Sequence, residues 1–100
     1  MRISESVTRT IKDSVARHFG AEARVYLFGS RVDDAARGGD IDLLVETGLA
    51  GQEALRAKVR VMTDIQLAHG DQKIDIVVTS PGSDDQRAIV SEARKEAVPL

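Results

Sequence analysis

Asp40-Ile41-Asp42-Leu43-Leu44-Val45 places carboxylates and aliphatic side chains in alternation, and Lys73-Ile74-Asp75-Ile76-Val77-Val78 repeats the pattern around one aspartate. A period of two reads as β-strand. Successive strand side chains point to opposite faces, so Asp40, Asp42 and Leu44 share one face and Ile41, Leu43 and Val45 the other. The aliphatic face has to be covered by other elements. The carboxylate face cannot be buried cheaply unless something cationic compensates it. The chain is thereby constrained to a sheet with one packed face and one face on which acidic groups gather.

The Cα atoms of Asp40 and Asp42 should lie about 6.6 Å apart, and an adjacent strand only about 4.8 Å away. If the strand of Asp75 is that neighbour, with Ile74, Ile76 and Val78 on the core face, three carboxylates converge. Their repulsion calls for cations. Oxygen-only ligands suit Mg²⁺ or Mn²⁺ rather than zinc. Two such ions about 3.5–4 Å apart form the clamp used in phosphoryl and nucleotidyl transfer. The competing reading is a half-exposed edge strand with solvated aspartates.

The remaining elements follow from spacing. Ile3, Val7, Ile11, Val15 and Phe19 recur every four residues and predict a helix over 4–19, with Ser4 as N-cap and Gly20 past its end. Arg24 to Phe28 reads as a short strand and Asp40 to Glu46 as the second. A second helix is expected over 52–68, with Leu55, Val59 and Met62 as its apolar stripe, Ile65 or Gln66 next, and Gly70 as its stop. Lys73 to Val78 is the third strand. Ser83-Asp84-Asp85-Gln86 fits a capping box opening a third helix that Pro99 closes. The order α-β-β-α-β-α gives an α+β domain over residues 1–100: a small mixed β-sheet with helices packed mainly on one face. Strands two and three, joined by a helix, are expected to be parallel. His18 and His69, at helix ends, read as partners of the helix dipole.

Composition narrows the functional classes. At 100 residues there is length for one core and little for a second lobe. A formal net charge of −2 opposes non-specific nucleic-acid binding, which needs a basic field. With no cysteine there is no disulfide framework and no thiolate zinc site. No apolar run reaches the roughly 20 residues of a membrane span. Met1-Arg2-Ile3-Ser4-Glu5 lacks a signal-peptide core, which sets the expectation of a cytoplasmic protein.

Upstream of the aspartates runs Leu27-Phe28-Gly29-Ser30-Arg31. Gly29 lets a phosphate approach the backbone, the Ser30 hydroxyl and nearby N–H groups suit phosphate oxygens, and Arg31 and Arg37 can neutralise charge. There is no Gly-Lys-Ser/Thr of a P-loop and no dinucleotide-binding glycine fingerprint. Gly29-Ser30, nine residues, Asp40-Ile41-Asp42, then Asp75 in an apolar strand resembles the nucleotidyltransferases of the DNA polymerase β-like superfamily, and most of all their minimal nucleotidyltransferase (MNT) domains. The resemblance covers nearly the whole chain in element order. It implies that Asp40 and Asp42 bridge two Mg²⁺ ions, that Asp75 holds the catalytic metal and helps deprotonate the attacking hydroxyl, and that Gly29, Ser30 and Arg31 bind the phosphates of a nucleoside triphosphate. Gly39 stands where many such domains carry serine, and Asp33-Asp34 bring negative charge where basic residues often follow.

The same resemblance implies a role. Minimal domains of this kind are commonly paired with a helical HEPN protein in toxin–antitoxin modules. The chain would then be a metal-dependent protein adenylyltransferase, moving AMP from ATP onto a hydroxyl of the HEPN ribonuclease toxin and acting as its antitoxin in a hetero-oligomer. The apolar Leu44 and Val77, on the carboxylate face, are expected to be left exposed for such a partner. Two alternatives belong to other classes: an inactive antitoxin that neutralises its partner by binding alone, and a nucleotidyltransferase acting on a small molecule such as an antibiotic. Neither the base of the nucleotide nor the acceptor is selected by these motifs; Tyr26 and Phe28 are candidates only for the sheet.

Overall fold

The computed structural model describes residues 3–29, 40–70, 73–81 and 87–100. Helix α1 spans Glu5–Phe19, strand β1 Arg24–Phe28, β2 Asp40–Glu46, helix α2 Gly51–His69, β3 Lys73–Thr79, helix α3 Ala88–Glu96 and β4 Val98–Pro99. Ser4 caps α1, its hydroxyl accepting the Val7 N–H at 3.1 Å. Gly20 ends that helix at φ +109°, a backbone conformation that side chains disfavour. The capping-box residues Ser83 to Gln86 lie outside the described residues. Helix α3 itself starts at Ala88 behind Arg87.

The four strands run in the order β3-β2-β1-β4. β1 and β2 are antiparallel, as their short connection requires, and β2 and β3 are parallel across α2. β4 is an addition to the expected order. Its two residues pair with Tyr26 and Leu27 at the outer edge of β1. Proline is tolerated there because an edge strand has one side free of ladder bonds. Pro99 therefore does more than end a helix: it belongs to the sheet.

One face of the sheet, carrying Val25, Leu27, Ile41, Leu43, Val45, Ile74 and Ile76, packs against Ile11, Val15 and Phe19 of α1 and Ala57, Val61 and Ile65 of α2. The first half of the stripe expected for α2 needs correction, while Met62 packs against the core and Ile65 lies in it. Leu55 and Val59 are 58% and 53% exposed, and the buried residues are Ala54, Ala57, Val61 and Ile65. Two small side chains bring the first half of α2 close to the sheet, and a pattern search weighted to large aliphatics selects the neighbouring stripe instead.

The other face also has a helix. Leu44, Val77 and Phe28 pack under Val90 and Ala93 of α3, with Tyr26 and Ala97 at the margin. Leu44 is 1% and Val77 9% exposed, so the apolar area expected to await a partner is covered by the chain's own third helix. Two of the three helices share one face; α3 lies alone on the carboxylate side.

Candidate active site

The acidic residues stand where that second face runs past α3. β2 is the pivot. Its antiparallel register sets Asp42 opposite Phe28, and its parallel register sets Asp42 opposite Asp75 and Asp40 opposite Lys73. Directly paired residues on neighbouring strands project to the same face about 4.8 Å apart. Asp42 and Asp75 are thus neighbours on one surface, Asp42 half-buried and Asp75 exposed. Among the described residues no hydrogen bond or ion pair reaches the Asp75 carboxylate.

Gly29 follows Phe28 and closes the other side of Asp42. Its φ is +78°, and a Cβ added there would press into the Asp42 carboxylate, 3.1 Å from its Cγ and 3.3 Å from its Cβ. Glycine is required twice over, by the backbone torsion and by the side chain lying against it. A group held by Asp42 therefore also lies near the bare peptide at Gly29. This is the close approach of main chain to ligand for which a Gly-Ser turn is suited.

Asp40 opens β2 two positions before Asp42; its side chain lies outside the described residues, as do Ser30, Arg31, Asp33, Asp34, Arg37 and Gly39. Among the described residues no group of three or more metal-binding side chains is assembled. Asp42 and Asp75 supply two members of the set read from the sequence. Their chemistry fits Mg²⁺: oxygen donors only, two like charges in register on adjacent strands, one of them without a protein partner among the described residues. When bound, such an ion would be held by these carboxylates and would neutralise charge on a transferring phosphate.

Tyr26 and Phe28 take their expected places in β1. Phe28 is buried beneath α3. The Tyr26 hydroxyl donates to Glu46 Oε1 at 2.9 Å, and Glu46 Oε2 meets Arg94 of α3 at 3.5 Å. This network pins the far end of α3 to the sheet.

A polar cluster between α1 and α2 escaped the reading of the sequence. Asp64 Oδ2 accepts the Ser14 hydroxyl at 2.7 Å and sits 2.9 Å from His18 Nε2. His69 Nε2 lies 2.8 Å from Thr10 Oγ1. Both histidines occupy last turns, as a dipole partner would, but each also ties one helix to the other. The cluster lacks the connectivity of a nucleophilic triad, because Ser14 bonds the carboxylate and not the imidazole. The Ser14 hydrogen bond holds the Asp64 carboxyl below its ordinary range; desolvation opposes this, and the His18 hydrogen bond and the charges of His18 and Arg17 add to it. The available signal was Ser14 itself, a polar residue on the buried stripe between Ile11 and Val15.

Among the described residues, no helix is long and apolar enough to cross a membrane. No curated protein matches the chain. The family model of the nucleotidyltransferase domain matches residues 8–62. That span takes in the Gly29-Ser30 turn, Asp40 and Asp42, and stops before Asp75. Together with a mixed sheet that sets Asp42 between Gly29 and Asp75, it shows that the chain belongs to the nucleotidyltransferase domain family.

Proposed function

We propose that this nucleotidyltransferase domain moves AMP from ATP onto a hydroxyl of a partner protein, using Mg²⁺, and that the partner is a HEPN-type toxin which the modification silences. The observation that carries the reading is the parallel register of β2 and β3, which sets Asp42 and Asp75 side by side next to the Gly29 backbone. In the reaction the acceptor oxygen bonds the α-phosphorus while the bond to pyrophosphate breaks. Pyrophosphate leaves, and the hydroxyl proton passes to a nearby base, a role assigned to Asp75. Asp40 and Asp42 are assigned to the metals, and Gly29, Ser30 and Arg31 to the phosphates.

The acceptor is assigned to another protein because the three helices are already used: α1 and α2 cover one face, and α3 the apolar half of the other. The described elements form no second lobe to hold an acceptor in line. The test is incubation with labelled ATP and Mg²⁺, with and without the product of the adjacent gene, followed by intact mass of both chains. The expected result is one or more AMP units on the partner, absent with Asp42→Ala. A tight complex that stays unmodified would replace this reading by neutralisation through binding alone. Modification of an added aminoglycoside, and not of the protein, would replace it by small-molecule transfer.

A further inference from the structure

Among the described residues the sheet has an open edge beside Asp75. β3 is terminal in the strand order, and a groove of about 380 Å³ runs along it between Leu55 and Lys58 of α2 and Arg87 and Ile89 at the start of α3. Its floor is the β3 backbone from Asp75 to Val78. In a strand, peptide groups of alternate residues point to opposite sides. The Thr79 carbonyl turns inward and accepts the Thr47 N–H at 2.9 Å, so Val78 points outward, where Arg87 donates to its carbonyl at 2.6 Å. Ile76 and Ile74 point outward in the same phase, on either side of Asp75.

The groove is mixed in character, with the cations Lys58 and Arg87 beside two exposed aliphatics: Leu55 is 58% and Ile89 46% exposed. Lys58 lies half-buried in the groove, and among the described residues its ammonium has no ion pair, with Asp75 or any other acid. An edge of this kind pairs with extended backbone, main-chain hydrogen bonds giving affinity and flanking side chains giving choice.

Resting on the reading of the chain as a protein-modifying transferase, we propose that this edge is the acceptor dock. It takes an extended, acidic stretch of polypeptide as an added strand against Ile74 and Ile76. The incoming hydroxyl residue stands at Asp75, apolar residues meet Leu55 and Ile89, and a carboxylate meets Lys58. Charge selects the occupant: among the described residues the groove carries two cations, Lys58 and Arg87, and one acid, Asp75, whose carboxylate is kept for the metal. A basic stretch would face an unmatched ammonium.

The test uses three fluorescein-labelled decapeptides and fluorescence anisotropy with Mg²⁺ present. The first alternates glutamate and valine around a central tyrosine. The second carries lysine for each glutamate. The third is the first with alternate peptide nitrogens methylated, which removes edge pairing. The acidic peptide should bind at least about tenfold more tightly than either control, and Lys58→Glu should invert the preference between acid and base. Leu55→Asp should weaken the acidic peptide by a similar factor. Thermal melts verify that both surface variants fold. Equal affinity for the acidic and basic peptides, indifference to methylation, or no saturation up to about 1 mM would overturn the dock. Nucleotide transfer to the tyrosine is scored separately. Binding with this dependence but without transfer retains the dock and removes the transferase reading. Transfer to the partner that is indifferent to Lys58 and Leu55 retains the enzyme and removes the dock.

Discussion

Gly29→Ala is the substitution that most directly interrogates the site. The change is one methyl group, yet two separate costs meet on it. The backbone at φ +78° lies in a region where an L-residue loses about 1–2 kcal/mol relative to glycine. The new Cβ also presses into the Asp42 carboxylate, with Cγ at 3.1 Å and Cβ at 3.3 Å, all tighter than ordinary van der Waals contact. Relieving that overlap means moving Asp42 or the turn, and overpacking of this size costs a further ~1–3 kcal/mol. The two together give about 2–5 kcal/mol. At about 4–8 °C per kcal/mol for a domain of this size, the melting temperature should fall by roughly 8–40 °C.

The two costs separate in a double-mutant cycle. Asp42→Ala deletes the carboxylate that the methyl strikes and leaves the torsional cost in place. In that background Gly29→Ala should cost only the ~1–2 kcal/mol of the torsion, so the cycle should show a coupling of about 1–3 kcal/mol. Urea unfolding of the four proteins measures it. If the single-mutant costs add within about 0.5 kcal/mol, Asp42 does not lie against Gly29, and the argument that a ligand of Asp42 also meets the Gly29 backbone fails with it.

Three further outcomes follow from the packing. Ile65→Ala should cost about 2–5 kcal/mol, whereas Val59→Ala, on the stripe that pattern alone selects, should stay within about 0.5 kcal/mol; chemical denaturation distinguishes the two. Leu44→Ala should cost about 2–5 kcal/mol because α3 covers it, and its exchange-protected amides should diminish first in α3. Asp64 has a lowered pKa in the folded protein, so its contribution is complete above the unfolded value near 3.8 and is lost as pH falls through the lower folded value. Asp64→Asn should therefore flatten the part of the stability–pH curve below about pH 4 that Asp64 causes in the wild type, read by urea midpoints at stepped pH.

What pattern could and could not reveal divides along physical lines. The strands and α1 were legible because their signals are local: Ile11, Val15 and Phe19 form one stripe, and the alternation from Asp40 to Val45 sets faces without knowledge of the neighbour. The parallel pairing of Asp42 with Asp75 was legible through the length of the α2 crossover. The first half of the α2 core stripe was not, because Ala54 and Ala57 bury well but carry little apolar signal, while Leu55 and Val59 carry more and face outward; Met62 and Ile65, further along, were legible. The placement of α3 was not, because strand alternation says which residues share a face and nothing about which helix covers it. β4 was hidden because two residues with a proline carry no period. Ser14 and Asp64 were hidden because their partnership spans fifty residues.

The corrected position of α3 changes what the carboxylate face means. Along β2 the residues of that face run Asp42, Leu44, Glu46, and along β3 Asp75, Val77, Thr79, so one surface passes from acid to aliphatic within two strand positions. α3 covers the aliphatic positions through Val90 and Ala93, and the Tyr26–Glu46–Arg94 network fixes its far end. A helix extended over Asp42 and Asp75 would take two adjacent carboxylates out of water, and among the described residues no cation pairs with Asp75, a cost larger than the apolar area gained. The sheet therefore has an intrinsic limit to how far it can be covered by its own chain. Beside Asp75 an external cation and its phosphate ligand would compensate a charge that no described residue matches. On this argument Asp75→Leu should stabilise the apo fold, or at worst leave it unchanged, while abolishing Mg²⁺-dependent nucleotide binding. A loss of more than about 1 kcal/mol in urea unfolding would show that Asp75 serves the fold and not the ligand.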